Sequence, residues 1–522
     1  MFKMKACLLY LLAGLVLAAC TDLSTKVEDA IGEDVTGDST PPISDPAAAL
    51  TGVYSQLRTM RGVTNTFALM EHTTDEMMGP TRGTDWSDFG VWRQLHAHTW
   101  DPSHGQVLGT WNDLNLGIFR ATQVVDAPTS TARQVAEARF LRAFFAFYVM
   151  DLYGQVPFRP SNAAPSAIPT VMQRPEAFDF IVQDLRAARP QLPNLTSGAD
   201  AGTASQEAVD FLLAKLYLNR AVYTTSTPAS PSAGPYTFAP ADMDTVIARV
   251  QAIIDNPYTD LSPFWDNFHW DNTTRSKELV FVKAEAAGTG GNFTTFWWTL
   301  HYNDSPSGCC NGFVTLGAFY DLFEPADVRR TAYISDMTPT TGIFAGILAG
   351  QQYKTWPDST SPVGVVPLTD RGGHPLVFTR AVDLLYSNET MGLRVIKYLI
   401  RPDPQRDQAG TDFIFFRYAD ALLMQAEAHF RKGATAAALT IVNQIRTNRG
   451  ASVLASITEQ ALLDERGREL YWEGWRRHDL IRFGVFTHAW EAKPVSGAYR
   501  VMFPIPQRAL DTNPNLVQIQ GY

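Results

Sequence analysis

Two stretches of the sequence combine tryptophan or tyrosine with short polar side chains. The candidate binding residues are Asp75, Arg82, Asp85, Trp86 and Trp92 in the first stretch, and Trp297, Trp298, Tyr302 and Asn303 in the second. A sugar ring has an apolar C–H face that stacks on aromatic side chains, and its hydroxyl groups pair with carboxylate, amide or guanidinium groups. The mixture therefore predicts binding of a neutral, hydroxyl-rich ligand. The alternative is that the aromatic side chains pack in the core or face a protein partner, and alternation predicts that only one of Trp297 and Trp298 points outward.

Three carboxylates near the C-terminus are spaced four residues apart, which predicts one shared helix face. They are Glu465, Glu469 and Glu473, and they are interleaved with Arg466, Arg468, Arg476 and Arg482. Stacked carboxylates can hold a metal ion or perform acid–base chemistry. The interleaved arginines and the lack of a Glu-x-x-His pair instead favour structural ion pairs. The same interpretation applies to Arg139 and Arg142.

Catalytic motifs are missing from the rest of the sequence. It contains no Gly-x-Ser-x-Gly elbow, no His-Glu-x-x-His motif, no phosphate-binding glycine loop and no nucleotide fingerprint. We therefore predict no catalytic residue, no metal site and no cofactor. A glycosidase-type pair of carboxylates stays open, because the separation of two carboxyl groups is a spatial quantity.

Two adjacent cysteines, Cys309 and Cys310, lie in a loop-like segment rich in glycine and serine. Neighbouring Cα atoms lie about 3.8 Å apart, which is below the usual range for a disulfide. An oxidising compartment would still permit the bond, so a vicinal disulfide and two free thiols both stay open. A metal site is disfavoured because the sequence has no second cysteine pair to complete four ligands.

The N-terminus predicts a lipid anchor. Lys3 and Lys5 precede a 14-residue apolar stretch, residues 6–19, which is too short to cross a bilayer. Its last residues, before Cys20, resemble a bacterial lipobox, which implies cleavage before Cys20 and lipidation of that cysteine. The alternative is a plain signal peptide with an incidental cysteine. The acidic segment that follows predicts an extended tether.

The composition excludes several classes of protein. With 45% hydrophobic and 18% charged residues, the sequence is too apolar for a disordered chain and too lightly charged for a coiled coil. It contains 43 basic and 53 acidic residues, a formal net charge of -10, and no dense basic run. Nucleic acid is therefore not predicted as a partner.

Helical periodicity predicts a mostly α fold. Helices are predicted at residues 45–60, 106–125, 131–153, 175–188, 205–223 and 243–254, and strands at residues 278–282 and 394–398. Residues 417–450 span 34 residues, the tetratricopeptide period, and are predicted to form a helical hairpin. The predicted organisation is a signal peptide (1–19), an anchor and tether (20–44), an N-terminal helical region (45–260), an irregular insert (261–412) and a C-terminal helical region (413–522).

Several motifs resemble those of the SusD/RagB family of outer-membrane nutrient-binding lipoproteins. The matching segments are ARFLRAFF at 138–145, DLYGQVP at 151–157, FRYAD at 416–420, residues 465–484, FPIP at 503–506 and NPNL at 513–516. The resemblance extends from the lipobox to Tyr522. Within the insert it is limited to position and to residues 318–323, so ligand specificity is not transferred.

The resemblance implies a scaffold of tetratricopeptide-like helix pairs with a loop-rich insert. It implies a lipid-anchored, surface-exposed protein of the outer membrane that docks onto a SusC-like TonB-dependent transporter and delivers oligosaccharide to it. Family members bind ligand through loops in the two candidate regions described above. A peptide-binding member of the same uptake system, an extracellular glycoside hydrolase and a purely structural repeat scaffold are the alternatives.

Overall fold

Helices form most of the regular structure in the computed structural model, which describes residues 41–285, 298–304, 310–355, 365–402 and 410–522. Those residues form sixteen α-helices and eleven short strands. The predicted mostly α fold is confirmed. Among the residues that the structure describes, no helix has the length and apolar character needed to cross a membrane.

The N-terminal region is built from eight helices. They are α1 (Pro46–Gln56), α2 (Asn65–Glu71), α3 (Val91–His96), α4 (Gly105–Asp126), α5 (Ala132–Tyr153), α6 (Arg174–Ala188), α7 (Gln206–Thr225) and α8 (Pro240–Ile254). All six predicted helices are present, and their boundaries differ from the predictions by only a few residues. A 3-10 turn forms the last part of the first one.

Helix α5 is the centre of this region, packed between α4 and α6. It begins with a capping box, in which Thr131 and Gln134 satisfy each other's backbone amides, and it ends at Gly154 in the left-handed conformation. Gly117 of α4 lies so close to α5 that a β-carbon there would be 2.6 Å from the ring of Phe145. This close approach requires glycine.

The middle of the chain is irregular and carries short antiparallel strands. An earlier antiparallel pair, β1 (Gln155–Phe158) and β2 (Thr170–Gln173), lies in the N-terminal region. The insert contributes α9 (Asn272–Arg275), β3 (Leu279–Lys283), α10 (Gly317–Tyr320), β4 (Thr331–Ala332), α11 (Thr338–Thr341), β5 (Ala345–Leu348), β6 (Gly350–Gln351), β7 (Tyr353–Thr355), β8 (Val365–Pro367), β9 (Val377–Phe378) and β10 (Arg394–Ile396). Strands β10, β5 and β4 form a three-stranded sheet, and β6–β9 and β7–β8 are pairs. The two strands predicted from the sequence correspond to β3 and β10.

The C-terminal region begins with β11 (Phe413–Arg417), which pairs with β3 and thereby joins the two ends of the insert. Its helices are α12 (Tyr418–Arg431), α13 (Thr435–Asn448), α14 (Glu459–Leu470), α15 (Arg476–Arg482) and α16 (Gln507–Thr512). The predicted 34-residue hairpin is confirmed as α12 and α13, joined at Gly433. Helix α12 also packs on α8, which connects the two helical regions. The region boundaries themselves stay predictions.

The predicted carboxylate motif is the centre of a buried ion-pair network. Glu469 accepts hydrogen bonds from Arg417 (2.7 Å), Arg449 (2.7 Å) and Arg329 (2.8 Å), all buried. Burial acts to raise the pKa of Glu469, but the Arg449, Arg417 and Arg329 guanidinium groups outweigh it and hold the pKa well below its ordinary value. The structural interpretation of this motif is confirmed.

The partners inside the network differ from the prediction in two respects. Glu473 lies beyond the end of α14, so the three carboxylates do not share one helix face. Of the interleaved arginines, only Arg468 pairs with a carboxylate of the motif, Glu465. The others reach more distant acids: Arg466 pairs with Asp420 and Asp479, Arg476 with Asp75, and Arg482 with Glu427 and Asp479. Arg482 and Asp479 are three residues apart on α15, but the other contacts depend on how separate parts of the chain pack, which sequence spacing does not report. Arg139 and Arg142 both pair with Asp184, as a structural role requires.

Candidate functional site

The two aromatic stretches predicted from the sequence meet on one surface. The rings of Trp86 and Trp298 contact each other edge to face, with their centroids 5.6 Å apart. Beside them, the Tyr302 hydroxyl donates a hydrogen bond of 2.6 Å to Oδ2 of Asp85. Residues more than two hundred positions apart therefore combine aromatic faces with a carboxylate, which is the combination expected of a sugar-binding surface.

Backbone hydrogen bonds hold the two stretches together. Met78 pairs with Val314, and the amides of Gly312 and Phe313 donate to the carbonyl oxygen of Trp298 at 2.9 and 2.8 Å. The indole Nε1 of Trp86 donates to the carbonyl oxygen of Cys310 at 2.7 Å. The hydrogen bond to Cys310 and the contact with Phe313 fix the Trp86 ring over residues 310–313.

Phe313 lies beneath the aromatic surface. Its ring centroid is 4.9 Å from that of Trp86, 5.1 Å from that of Trp92 and 6.3 Å from that of Trp298. Trp86 and Trp298 are half-buried, whereas Phe313 and Trp92 are buried. Phe313 and Trp92 therefore support the surface, and Trp86 and Trp298 form its accessible part.

A polar cluster borders the aromatic surface. The guanidinium carbon of Arg371 lies 4.0 Å from the centroid of the Tyr302 ring, and Nη2 lies 3.5 Å from Oδ2 of Asp85. Arg371 also pairs with Glu389, which in turn contacts His301 Nε2 at 2.9 Å. Because Arg371 covers one face of Tyr302, that face is not available for stacking on a ligand.

The protonation states in this cluster follow from its contacts. Burial, with the hydrogen bond to Asp85, raises the pKa of Tyr302 to about 12. Burial acts to raise the pKa of Glu389, but hydrogen bonds from Arg371 and His301 outweigh it and lower the pKa. Burial lowers the pKa of His301 despite its contact with Glu389. At neutral pH the cluster therefore presents a protonated phenol, a neutral imidazole and an ionised Glu389.

Three predicted binding residues have other positions. Asp75 accepts two hydrogen bonds from the Arg476 guanidinium in a bidentate pair, both of 2.7 Å, and so belongs to the scaffold. Arg82 is buried and donates to backbone carbonyl oxygens, including that of Met391 at 2.9 Å. Trp92 donates its Nε1 to Asp88 at 2.7 Å from a buried position. Arg82 and Trp92 therefore hold the loop in place, and Asp85, Trp86, Trp298 and Tyr302 form the accessible site.

The remaining predicted residues are at the margin of the site or outside the described residues. Asn303 is exposed and donates Nδ2 to the carbonyl oxygen of Thr369 at 2.7 Å, next to the polar cluster. Trp297, Cys20 and Cys309 lie outside the described residues. Cys310 is disulfide-bonded, and its partner also lies outside them, so pairing with Cys309 stays a prediction. In the described parts of the chain, no group of three or more histidine, cysteine, aspartate or glutamate side chains is arranged to hold a metal ion.

Sequence reasoning missed Arg371, Glu389 and Phe313. Each comes from a segment of the insert with no motif or periodicity of its own, and each becomes part of the site only through loop packing. An exposed arginine in a turn rich in glycine, such as Arg371, gives no signal that it will stack on a distant tyrosine.

Comparison with known proteins agrees with this structure. A model of the SusD family matches residues 385–498. The chain is 28% identical over 500 residues to the starch-binding protein SusD of Bacteroides thetaiotaomicron, covering 88% of this chain and 85% of that protein. It is 24% identical to the SusD-like protein P25 of Formosa agariphila, covering 79% of this chain and 78% of the relative.

Solved structures share the fold. A SusD superfamily protein from Parabacteroides distasonis superimposes with a TM-score of 0.69 at 19% identity, covering 91% of this chain and 98% of that one. Surface glycan-binding protein A from Bacteroides thetaiotaomicron, solved in complex with laminarihexaose, gives a TM-score of 0.65 at 18% identity with the same coverage. The resemblance to the SusD/RagB family that the sequence motifs predicted is therefore confirmed, and the chain has the mostly helical SusD-like fold.

Proposed function

We propose that this protein captures an oligosaccharide at the cell surface and passes it, without turnover, to a SusC-like TonB-dependent transporter. The observation that carries this proposal is the convergence of Trp86, Trp298 and Tyr302 with Asp85, Arg371 and Glu389 on one accessible surface. Half-buried indoles offer a face for the C–H side of a sugar ring. The fixed carboxylates and guanidinium offer acceptors and donors for its hydroxyl groups.

The nature of the relatives supports a glycan as ligand. One relative is named as starch-binding, and one protein of the same fold was solved with laminarihexaose. The charge of the cluster is consistent with a neutral glycan, because Arg371 is already paired with both Asp85 and Glu389. A peptide-binding role is the second version of the same proposal, and the assay below includes it.

The contacts of the two carboxylates, Asp85 and Glu389, support capture without turnover. A glycoside hydrolase needs one carboxylic acid with a raised pKa to protonate the leaving group. The pKa of Glu389 is lowered by its partners, and Asp85 accepts a hydrogen bond from the Tyr302 hydroxyl and lies beside Arg371. The pair is therefore suited to holding hydroxyl groups and unsuited to general acid catalysis.

Anchoring and delivery are proposed from the sequence. The lipobox-like residues before Cys20 and the acidic tether would hold the described body close to the outer membrane. The resemblance to the SusD/RagB family supports a SusC-like partner. Co-purification of the full-length chain with a co-expressed SusC-like transporter tests that part separately. The Cys20→Ala variant then shows whether the association needs the lipid anchor.

Isothermal titration of the mature chain without its lipid tests the capture step. Starch and laminarin oligosaccharides and mixed peptides would be titrated, and each incubation assayed for released reducing ends. We expect saturable glycan binding with no released product, and at least tenfold weaker binding for Trp86→Ala. Trp270→Ala is the matched control, because Trp270 is also half-buried but contacts His269 in another part of the fold.

Each outcome has a distinct meaning. Released reducing ends would contradict capture without turnover. Binding of peptides but not of glycans, if Trp86→Ala abolishes that binding, would show that the site is correct and that its ligand is a peptide. Glycan binding that Trp86→Ala and Trp270→Ala affect equally would place the ligand elsewhere.

A further inference from the structure

Three apolar side chains next to the candidate site project into solvent. Phe89 is fully exposed, with a relative exposure of 103%, and Tyr386 and Leu385 are exposed to 81% and 50%. Single exposed apolar residues are ordinary on protein surfaces. These three come from two neighbouring segments, and Phe89 and Leu385 line the same groove, which has a volume of about 570 Å³.

The backbone is built to hold these side chains outward. Phe89 and the preceding Asp88 have positive φ angles of 52° and 33°, and Asp88 is fixed by the hydrogen bond from Trp92. Non-glycine residues persist in this region only where the surrounding structure determines them, as at ligand-binding loops. In the second segment, the carboxylate of Asp383 accepts hydrogen bonds from the amides of Leu385 and Tyr386 at 2.8 and 2.9 Å, which fixes the turn that presents them.

The same two segments also carry the candidate site. The amide of Thr81 donates to the carbonyl oxygen of Leu384, and the amide of Ser387 donates to that of Thr81, both at 3.1 Å. The first segment then continues to Asp85 and Trp86, and the second continues to Glu389. The exposed apolar residues are therefore rigidly connected to the aromatic surface and its polar cluster.

The groove has polar walls between the apolar side chains. Its polar lining residues are Arg93, Gln94, Thr99, Asp383 and Glu491. Apolar side chains next to hydrogen-bond donors and acceptors, some of them charged, are suited to binding an oligosaccharide with many hydroxyl groups. Its volume is within the range of ligand-binding clefts.

We propose that the groove and Phe89, Leu385 and Tyr386 form a second subsite, continuous with the surface at Trp86, for further sugar units of the same glycan. The ligand class is therefore an oligosaccharide long enough to reach both places. This inference rests on the proposed function, and it deepens it by assigning a minimum chain length to the ligand. A protein surface is the competing occupant, and the test separates the two.

Titration with maltooligosaccharides and laminarioligosaccharides, from disaccharide to octasaccharide, tests the subsite in the full mature chain. We expect affinity to rise with chain length and then level off. Phe89→Ala and Tyr386→Ala should each lower the affinity for the longest ligands by about three- to tenfold, the range of one aromatic contact, and leave the shortest ligands unchanged. Trp86→Ala should weaken every length. Tyr333→Ala is the matched control, because Tyr333 is 60% exposed and contacts Phe344 in another part of the insert.

The proposal is overturned if Phe89→Ala and Tyr386→Ala weaken all chain lengths equally, or leave all of them unchanged. Loss of transporter co-purification in these variants, with unchanged glycan affinity, would overturn it in favour of a protein contact. Absence of binding for every glycan would instead contradict the proposed function itself. Thermal melting of each variant, expected within a few degrees of the parent, shows that the loss is not due to unfolding, since both side chains are exposed.

Discussion

Gly312 provides the most direct test of the candidate site, because its α-carbon lies against the ring of Trp86. A β-carbon at this position would be 2.5 Å from Cε2 of Trp86 and 2.7 Å from the carbonyl oxygen of Trp298. The optimal van der Waals separation of two carbon atoms is at least about 3.5 Å, so Gly312→Ala must displace the indole by about 1 Å. The φ angle of Gly312 is not in the left-handed region, so the effect is one of space and not of backbone strain.

The size of the effect follows from the contacts that the displacement disturbs. Overpacking of this kind costs about 1–3 kcal/mol of folding stability. The indole would also lose its hydrogen bond to the carbonyl oxygen of Cys310, worth about 1 kcal/mol, and its orientation over Phe313. These terms lower folding stability, whereas the loss of affinity comes from the displaced ring, which would no longer stack on the sugar. An aromatic contact is worth up to about 1.5 kcal/mol and 1.4 kcal/mol corresponds to a factor of ten, so we expect glycan affinity to fall about tenfold while the protein remains folded.

The assay combines isothermal titration with thermal melting and tryptophan emission of the same samples. Gly52→Ala is the matched control, because a β-carbon at Gly52 in α1 meets nothing within 4 Å. That substitution should leave binding unchanged and stabilise the helix by up to about 1 kcal/mol. If Gly312→Ala binds glycan as tightly as the parent, with unchanged emission, then the Trp86 ring is not the surface on which the ligand stacks.

Two further predictions concern the scaffold. Burial raises the pKa of Glu71 to about 8, so between about pH 4.5 and pH 8 the folded protein holds a proton that the unfolded chain has lost. The free energy of unfolding therefore falls as pH rises through this range, by at most about 1.4 kcal/mol per pH unit. Glu71→Gln should therefore gain stability over the parent between pH 5 and pH 8 in denaturant unfolding, and a constant difference would contradict the shift. Arg417→Met removes a positive charge that neutralises Glu278, Glu469 and Glu473 and should lower the free energy of unfolding by about 3–5 kcal/mol in the same assay. A loss below about 1 kcal/mol would show that the other arginines and lysines of the network neutralise these carboxylates without Arg417.

The longer helices were predictable from their periodic patterns or their end signals, whereas short ones such as α2, α3 and α15 were not predicted. Helix α5 shows clear end signals, since Thr131 precedes its first turn and Gly154 follows its last, although its second half is buried on every side and has no single apolar stripe. The 34-residue hairpin was predictable for the same reason. The short strands of the insert were mostly not, because strands of two to four residues carry too little alternation to distinguish them from loops.

The candidate site was predictable only in part. Trp86, Asp85 and Tyr302 could be selected because aromatic and polar residues are mixed in loop-like sequence, but their contact across the fold could not. Asp75 shares the same composition, yet Arg476 takes both of its oxygens. A sequence shows which side chains are suited to a ligand, whereas packing decides which of them the protein itself uses.

The same distinction governs how far the comparisons extend. The family model matches residues 385–498, a segment that includes Glu465 and Glu469 of the buried ion-pair network, whose partners are arginines of the scaffold. Those residues must be retained for folding whatever the ligand is, because an unpaired buried charge is costly. The loop that carries Trp86 and the segment that carries Trp298 and Tyr302 lie outside that match. Glu389, Leu385 and Tyr386 lie inside it. The aromatic part of the candidate surface can therefore change separately from the scaffold, and the ligand of this chain has to be determined from these loops and by direct titration.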